Sequence, residues 1–324
     1  MLPTAFQERT IATLGKSEAD ALFDALEGDA PTSIRLNPAR GYEAAGESVP
    51  WCEKGRYLPQ RPKFTLDPLF HAGCYYVQEA ASMFLAHAIN ALPTPPQCVL
   101  DLCAAPGGKS TLWRSKLANN ALLVANDPVR SRAMILAENM AKWGDANVVV
   151  TQALPKDFGK LSGTFDVISA DVPCSGEGMF RKDKQAREEW SEANVKMCAQ
   201  RQREIIADAW DALKEGGHLM YSTCTFNSEE NEENVAWIAE TLDAEVLDLQ
   251  APAAWRIVES PIKSGKGYHF YPHRTQGEGF FLAMLRKTSA CPATKGKVRK
   301  ASLPNPTKQA LCEWLQLPED WAYF

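Results

Sequence analysis

Between residues 98 and 242 the chain alternates short apolar segments with longer amphipathic ones, and this alternation limits the possible folds more than any other feature. Apolar segments of strand length lie at Val99–Cys103, Leu122–Asn126, Val148–Thr151, Phe165–Asp171 and His218–Cys224. Segments of helical character lie at Ser110–Ala118, Pro128–Trp143, Val195–Leu213 and Ser228–Leu242. Near-continuous apolar strands that are covered by helices indicate a sheet buried on both faces. We therefore predict an α/β fold with a doubly wound, mostly parallel, Rossmann-like sheet.

The segments on either side of this alternation divide the chain further. Helices are predicted near Ser17–Leu26 and over Glu79–Ala91, and Phe280–Leu285 is predicted to be an antiparallel strand at or near the sheet edge. We expect a small α+β N-terminal domain over residues 1–62 and a main domain over residues 63–288. Residues 289–324 predict a basic linker with an amphipathic stretch at Thr307–Leu315, leading into a further C-terminal region.

The composition favours a cytoplasmic protein with reduced thiols. The nine cysteines are odd in number and contain no CxxC pair, which argues against a disulfide framework, and no metal site is expected. The N-terminus lacks the features of a signal peptide, and no apolar run is long enough to span a membrane. Nothing in the sequence indicates an obligate partner, so we expect a monomer.

The charge pattern restricts the possible partners only weakly. A formal net charge of -5 disfavours non-specific binding to nucleic acid, although it leaves room for a local basic surface. We expect the acidic run Glu229, Glu230, Glu232 and Glu233 to form a solvated face. The basic residues between Arg286 and Lys308 fit either a solvated face or a surface that contacts RNA.

A loop of small residues follows the first predicted strand and precedes a helix. It comprises Cys103, Ala104, Ala105, Pro106, Gly107, Gly108 and Lys109. Small residues allow the backbone to approach a ligand closely, and the helix N-terminus offers amide donors, so we predict a cofactor-binding loop. The alternatives are a structural turn and a phosphate-binding loop, but the latter needs a glycine where Cys103 stands. Asp127, after the second strand, fits either a ribose-binding carboxylate or a helix N-cap.

Two cysteines lie at the ends of predicted strands, in the sequences Asp171-Val172-Pro173-Cys174-Ser175 and Ser222-Thr223-Cys224-Thr225. A pyrimidine accepts a methyl group on carbon 5 only after a nucleophile has attacked carbon 6, and a thiolate suits that attack. A second group must then remove the proton from carbon 5, and an acid near ring nitrogen 3 stabilises the adduct. Cys224, Cys174 and Asp171 together supply groups for these roles. We expect Cys52, Cys74, Cys98, Cys198, Cys291 and Cys312 to be inert residues of the core.

These motifs resemble those of the Sun-type RNA cytosine-5 methyltransferases, which use S-adenosylmethionine, and among them the bacterial branch that modifies small-subunit ribosomal RNA. The matching text is Asp101–Ser110, Asn126-Asp127, Asp171–Lys182, Arg201–Glu204 and Tyr221–Asn234, within about residues 30–287. The resemblance implies that residues 103–109 surround the cofactor and that Asp127 binds its ribose. It implies that Asp171 contacts both cofactor and cytosine, that Cys224 is the nucleophile, and that Cys174 assists release.

The resemblance also implies further roles. Lys109 would orient the cytosine or the cofactor carboxylate, and Arg181 and Lys182 would bind phosphates near a flipped base, unless they form a solvated turn. The sequence departs from the family pattern at Leu154, where an acid near the cofactor's adenine is usual, and Asp157 is a possible substitute. Val172 replaces a usual alanine. The N-terminal domain and the region after residue 288 would contact RNA.

We therefore expect a cytoplasmic RNA cytosine-5 methyltransferase that acts on small-subunit (16S) ribosomal RNA through a covalent cysteine adduct. Transfer RNA is the alternative substrate within the same class. Two alternatives from other classes are a non-catalytic RNA-binding factor in ribosome assembly, suggested by Leu154, and a P-loop nucleotide hydrolase, suggested by Lys109 and Ser110.

Overall fold

The computed structural model describes residues 1–291 of the chain. The α-helices are α1 (Thr4–Leu14), α2 (Lys16–Glu27), α3 (Pro68–His71), α4 (Leu85–Asn90), α5 (Gly108–Lys116), α6 (Arg130–Trp143), α7 (Pro155–Phe158), α8 (Lys184–Glu189), α9 (Glu192–Ala209) and α10 (Glu232–Thr241). The strands are β1 (Thr32–Leu36), β2 (Ser48–Val49), β3 (Cys52–Leu58), β4 (Tyr75–Val77), β5 (Cys98–Asp101), β6 (Leu122–Asn126), β7 (Val148–Thr151), β8 (Phe165–Asp171), β9 (Leu213–Thr223), β10 (Ala244–Val246), β11 (Val258–Ile262), β12 (Gly265–Phe270) and β13 (Phe280–Lys287).

The main sheet has the strand order β11-β12-β13-β9-β8-β5-β6-β7, and β10 pairs with β13. Strands β5 to β9 are parallel, which confirms the predicted doubly wound α/β fold. The chain runs outward from β5 through β6 to β7, and then returns to β8 and β9 on the other side of β5. In such a sheet the crevice between the carboxyl ends of the two central strands is where ligands bind. Here those strands are β5 and β8.

Each face of the sheet is covered by a separate apolar core. Neighbouring residues of one strand belong to different cores, as with Val99 and Leu100 in β5. The first core takes in residues of α4 and α5, and the second takes in residues of α9 and α10. Because both faces are buried, the central strands are apolar along nearly their whole length, and this is the pattern visible in the sequence.

The late strand differs from the prediction in its position. Strand β13 pairs antiparallel with β9, as expected, but β12 and β11 lie beyond it, so the expected edge position is wrong. Strands β11 and β12 were not predicted, since Val258–Ile262 contains Ser260 and Pro261, and Gly265–Phe270 contains two glycines. Helix α1 was also not predicted, whereas α2 lies within one residue of the predicted helix at each end.

A second, small sheet precedes the main one, with the strand order β2-β3-β1-β4. Because β4 ends at Val77, the expected boundary at residue 62 falls between the third and fourth strands of this sheet. The predicted helix over Glu79–Ala91 is split into a 3₁₀ turn at Ala81–Phe84 and the short helix α4. The stretch Thr307–Leu315 and most of the predicted basic linker lie outside the described residues. No helix in the described part of the chain is long and apolar enough to cross a membrane.

Candidate active site

The candidate site residues meet at the carboxyl ends of the parallel strands. Asp101 ends β5, Asp127 follows β6, and Asp171 ends β8. Cys174 follows β8, and Cys224 follows β9 immediately. Because these strands are parallel neighbours, their carboxyl ends lie at one edge of the sheet, so the fold brings together residues that are far apart in sequence.

The small-residue loop is held tightly between α5 and α6. Gly107 has a φ of 114°, which favours glycine, and a β-carbon there would come within 3.2 Å of Leu136. The amide of Asn139, in α6, donates to the carbonyl of Pro106 at 2.8 Å. The loop is thus a fixed backbone cradle that leads into the N-terminus of α5.

Two polar side chains at the base of this cradle were not singled out from the sequence. The Asp101 carboxylate accepts a hydrogen bond from Ser110 through Oδ2 at 2.6 Å, while its buried Oδ1 has no partner among the described residues. Burial raises the pKa of Asp101 to about 7. Arg35, fully buried in β1, donates to Thr111 at 2.6 Å and to Gln78 at 2.8 Å. Arg35 therefore ties the small sheet to the helix that follows the cradle.

The residues after β6 are engaged in local contacts. Asp127 is buried; its Oδ1 accepts from the backbone N–H of Val129 at 2.9 Å, and its Oδ2 lies 3.1 Å from Arg132. Helix α6 begins at Arg130 with Val129 as its N-cap, so the N-cap role predicted as the alternative for Asp127 is wrong, and the ribose role stays a proposal. Asn126 donates to the carbonyls of Leu102 and Ala153, so its amide joins the ends of β5 and β7.

The two thiols are in direct contact. The Sγ atoms of Cys174 and Cys224 are 3.1 Å apart, and the backbone N–H of Cys224 donates to Cys174 Sγ at 3.3 Å. The hydrogen bond with Cys224, burial and the nearby Glu230 carboxylate raise the pKa of the Cys174 thiol well above its usual value. At this distance either sulfur can donate a hydrogen bond to the other.

A lysine–aspartate pair lies beside the thiols. Lys109 Nζ is 2.8 Å from Asp171 Oδ2, and the Ser222 hydroxyl donates to Asp171 Oδ1 at 2.8 Å. Burial alone would lower the pKa of Lys109, but the Asp171 carboxylate raises it overall. The Lys109 ammonium also lies 5.1 Å from the centre of the Phe280 ring. Lys109 is thus a fixed cation between the cradle and the thiols.

The expectation of a solvated acidic run is wrong for Glu230. Its side chain is buried and accepts hydrogen bonds from Ser175, Gln202 and Asn227. Glu177 is also buried, and it accepts from the backbone N–H groups of Phe226 and Asn227. Both acids lie among the residues of the thiol motifs, but their burial depends on partners that the sequence order does not show.

The phosphate role expected for Arg181 is wrong for this arrangement. The side chain is 7% exposed, its Nε lies 3.0 Å from the Glu278 carboxylate, and its Nη2 donates to the carbonyl of Gly277 at 2.6 Å. Lys182 contacts the same carboxylate at 3.3 Å but is 32% exposed, so only Lys182 keeps access to solvent.

The departure at Leu154 is visible in the structure. The Leu154 side chain is 49% exposed at the end of the segment after β7. Asp157, its possible substitute, accepts from the backbone N–H of Leu154 at 3.3 Å and forms an ion pair with Lys160 at 2.7 Å. Asp157 is thus already engaged at the N-terminus of α7.

Comparisons with known proteins agree with this geometry. Residues 88–286 match the family model described as 16S rRNA methyltransferase RsmB/F, and residues 2–80 match that of the N-terminal domain of 16S rRNA methyltransferase RsmF. Ribosomal RNA small subunit methyltransferase F of Citrobacter koseri is 39% identical over 251 residues, covering 75% of this chain and 52% of that protein. Its counterpart in Escherichia coli O157:H7 is 39% identical over 266 residues, covering 80% of this chain and 55% of that protein.

The chain therefore spans about half the length of the curated relatives it matches. Among solved structures, a methyltransferase homolog protein from Pyrococcus horikoshii superposes with a TM-score of 0.74 at 27% identity, covering 88% of this chain and 95% of that one.

Proposed function

The chain belongs to the RsmB/F family of 16S rRNA methyltransferases, and we propose that it methylates carbon 5 of a cytosine in small-subunit ribosomal RNA, with S-adenosylmethionine as the cofactor. Membership of this family confirms the resemblance drawn from the motifs. The observation that carries the proposal is the contact between Cys174 and Cys224 beside the Lys109–Asp171 pair. A carbon-5 methylation needs a nucleophile, a group that assists its departure and a charged group that holds the ring.

The charges at the strand ends fit S-adenosylmethionine. This cofactor carries an ammonium and a sulfonium group, and when bound it supplies an activated methyl group. Asp101, Asp127 and Asp171 place carboxylates at the ends of three neighbouring strands, and the free Oδ1 of Asp101 is an acceptor without a partner among the described residues. The cradle over residues 103–109 would surround the methionine and ribose parts, and Asp127 would bind the ribose hydroxyls.

The residues of the chain support the covalent part of the reaction. The Cys224 thiolate attacks carbon 6, a sulfur–carbon bond forms, and the electron pair of the ring double bond moves to make carbon 5 nucleophilic. After methylation, Cys174 would take the proton from carbon 5 as it passes its own proton to the departing Cys224 sulfur, so that the double bond re-forms and the sulfur–carbon bond breaks. Cys174 lies in contact with that sulfur and so can hydrogen-bond to it as it leaves. Lys109 and Asp171 would orient the ring.

Small-subunit ribosomal RNA is the proposed substrate because the curated relatives are named for it. Transfer RNA is kept as the alternative within the same reaction class. A cytoplasmic location, a monomeric state and a division into an RNA-contacting N-terminal domain and a catalytic main domain belong to the same proposal. Size-exclusion chromatography of the purified chain tests the monomeric state.

The proposal is tested by incubating the purified chain with S-adenosylmethionine labelled on the methyl group. Separated pools of unmodified 16S ribosomal RNA and transfer RNA serve as substrates, and nuclease digestion identifies the labelled nucleoside. We expect 5-methylcytidine in 16S ribosomal RNA, and none with the Cys224→Ser variant. Label in transfer RNA would show that transfer RNA is the substrate. Binding of RNA without any methyl transfer would support the alternative of a non-catalytic factor in ribosome assembly.

A further inference from the structure

Two loops carry the thiols, and each loop supplies an acid that holds the other. The first thiol loop is residues 172–183, and the second thiol loop is residues 224–231. Glu230 of the second thiol loop accepts from the backbone N–H of Ser175, next to Cys174, at 3.0 Å. Glu177 of the first thiol loop accepts from the backbone N–H groups of Phe226 at 2.8 Å and Asn227 at 3.0 Å. The spacing of the two sulfurs is therefore set by a reciprocal pair of carboxylates.

Burial raises the pKa of Glu230, whereas its hydrogen-bond partners favour the ionised form. Gln202 donates to Oε2 at 2.7 Å, and Asn227 donates to Oε1 at 2.8 Å. The amide of Gln202 is oriented by Tyr221, whose hydroxyl donates to Gln202 Oε1 at 2.9 Å. Together with Ser175, every described partner of the Glu230 carboxyl is a donor, which suits a carboxylate and leaves no acceptor for a carboxylic proton.

The charges on the two sides of the thiol pair are of opposite sign. The Glu230 carboxylate accepts from the backbone N–H of Ser175, next to Cys174. The Lys109 ammonium, in contrast, lies 2.8 Å from Asp171, whose other oxygen accepts from Ser222, two residues before Cys224. Other groups also face the pair from the elements packed around it: Asp171 at the end of β8, Tyr221 in β9 and Cys198 in α9. The backbone N–H of Cys224, which donates to Cys174 Sγ, acts against Glu230 by favouring charge on Cys174.

We propose that Glu230 is a positioning residue that acts through Cys174. Its negative charge keeps the shared proton on the Cys174 sulfur, so that the negative charge of the thiol pair rests on Cys224, beside Lys109. Glu230 thus gives two similar cysteines different roles, and it touches neither the substrate nor the cofactor. The inference deepens the proposed function, on which its catalytic meaning rests, but the proton distribution itself is a property of the free protein.

In the proposed reaction the two sulfurs therefore have different roles. With the proton on Cys174, Cys224 is ready to attack carbon 6, and Cys174 hydrogen-bonds to it through its S–H group. If the charge of Glu230 is removed, charge on the Cys174 sulfur is disfavoured less, and the proton is no longer held on that sulfur.

The experiment measures thiol reactivity without RNA or cofactor. The full chain is treated briefly with iodoacetamide, a small reagent that alkylates thiolates irreversibly, at pH 8, and the modification of Cys174 and Cys224 is quantified by peptide mapping. We expect Cys174 in the Glu230→Gln variant to react about tenfold faster than in the wild-type protein, because a nearby negative charge that disfavours its thiolate has been removed. The Glu230→Asp variant keeps the charge and should keep Cys174 slow.

The matched control is Glu177→Gln, which weakens the same link between the loops without removing the charge that acts on Cys174. If Glu177→Gln accelerates Cys174 as much as Glu230→Gln does, loosening of the loops explains the effect and the proposal is overturned. An unchanged Cys174 rate in a folded Glu230→Gln variant also overturns it. If that variant does not fold, the rate of Cys174 modification in the wild-type protein is compared with that of a free thiol at pH 8. Equal rates would contradict the proposal. Since no RNA is present, a failure of methyl transfer cannot be mistaken for these outcomes.

Discussion

The two halves of the candidate site are built differently. The thiol half consists of the first and second thiol loops, where the buried carboxylates of Glu177 and Glu230 have protein partners on both oxygens. The cofactor half consists of the loops after β5, β6 and β7. There, one oxygen of the buried Asp101 has no partner among the described residues, and Leu154 is half-exposed. The loops that carry the two sulfurs are thus held by contacts within the protein, while the cofactor half keeps a polar group available to a ligand.

This difference is what the proposed reaction requires. A nucleophile must be held in place before the substrate arrives, since its orientation is part of the lowering of the barrier. A binding half gains affinity when a ligand satisfies polar groups that the protein leaves unpaired. Lys109 connects the halves, because it belongs to the helix after the cradle and contacts Asp171 beside the thiols.

The largest expected effect comes from breaking the connection between the halves. Lys109→Met removes the cation beside Asp171 and Cys224, and loss of one group that stabilises charge in a transition state costs about 100-fold to 1,000-fold in rate. We expect methyl transfer to fall by that factor, as measured by label incorporation into RNA. Lys116→Met, in the last turn of the same helix and exposed, is the matched control and should stay within about twofold of the wild type.

In the cofactor half, Asp101 should lower the free energy of unfolding of the protein as the pH rises. The pKa of Asp101 is raised to about 7, above the usual value of about 3.9 for an unfolded chain, so the unfolded chain releases this proton first. The carboxyl therefore lowers the free energy of unfolding increasingly from about pH 4 to about pH 7. Asp101→Asn cannot ionise, so its stability relative to the wild type should rise over that window, by up to about 4 kcal/mol.

Urea unfolding of both proteins at pH 5 and pH 8 measures this change. Asp208→Asn, an exposed change on α9, serves as the control. Stability curves of Asp101→Asn and the wild type that run parallel between pH 5 and pH 8 would contradict the account of Asp101.

A substitution in the thiol half should lower the free energy of unfolding of the protein rather than its affinity for a ligand. In Glu177→Gln, one carboxylate oxygen becomes an NH₂ group that faces a donor, either Trp190 on one side or the backbone of the second thiol loop on the other. A lost hydrogen bond to a buried charged group costs about 1.5–3 kcal/mol, so urea unfolding should show a loss of about 2 kcal/mol. Glu188→Gln, an exposed change on α8, should show less than about 0.5 kcal/mol.

The smallest expected effect is a gain of affinity in the cofactor half. Leu154→Asp introduces the acid that the family pattern usually has near the adenine. An added hydrogen bond to a charged group should tighten S-adenosylmethionine binding by about threefold to tenfold, as measured by calorimetry. Leu161→Asp, at another exposed leucine, is the control. If Leu154→Asp and the wild type bind S-adenosylmethionine with equal affinity, the adenine of the cofactor does not lie near residue 154.

The sequence was sufficient for the parts of the fold that depend on local pattern. Strands β6, β7 and β8 have the bounds that were predicted, because their apolar residues are buried on both faces and polar residues follow them. The positions of Cys174 and Cys224 at the ends of β8 and β9 followed from the same reasoning. Strands β11 and β12 were missed because Pro261 and the glycines Gly265 and Gly267 give them no strand-like pattern, and pairing with β13 decides their conformation.

The missed parts of the site depend on contacts between distant residues. Glu230 is buried because Ser175 and Gln202 approach it, although its sequence neighbours suggested a solvated face. Arg181 is buried by Glu278, which lies 97 residues further along the chain. Neither contact leaves a periodic signal in the sequence, so only the folded chain shows that Glu230 and Arg181 are buried.

The most direct test of the central claim is to stop the reaction after the Cys224 attack. A Cys174→Ala variant, expressed in cells and analysed on a denaturing gel, should carry covalently attached RNA. This attachment should disappear in the Cys174→Ala, Cys224→Ala double variant, and sequencing of the trapped RNA should identify small-subunit ribosomal RNA. If Cys174→Ala carries no adduct while the wild-type chain methylates RNA, or if the adduct persists without Cys224, the assigned roles of the two thiols are wrong.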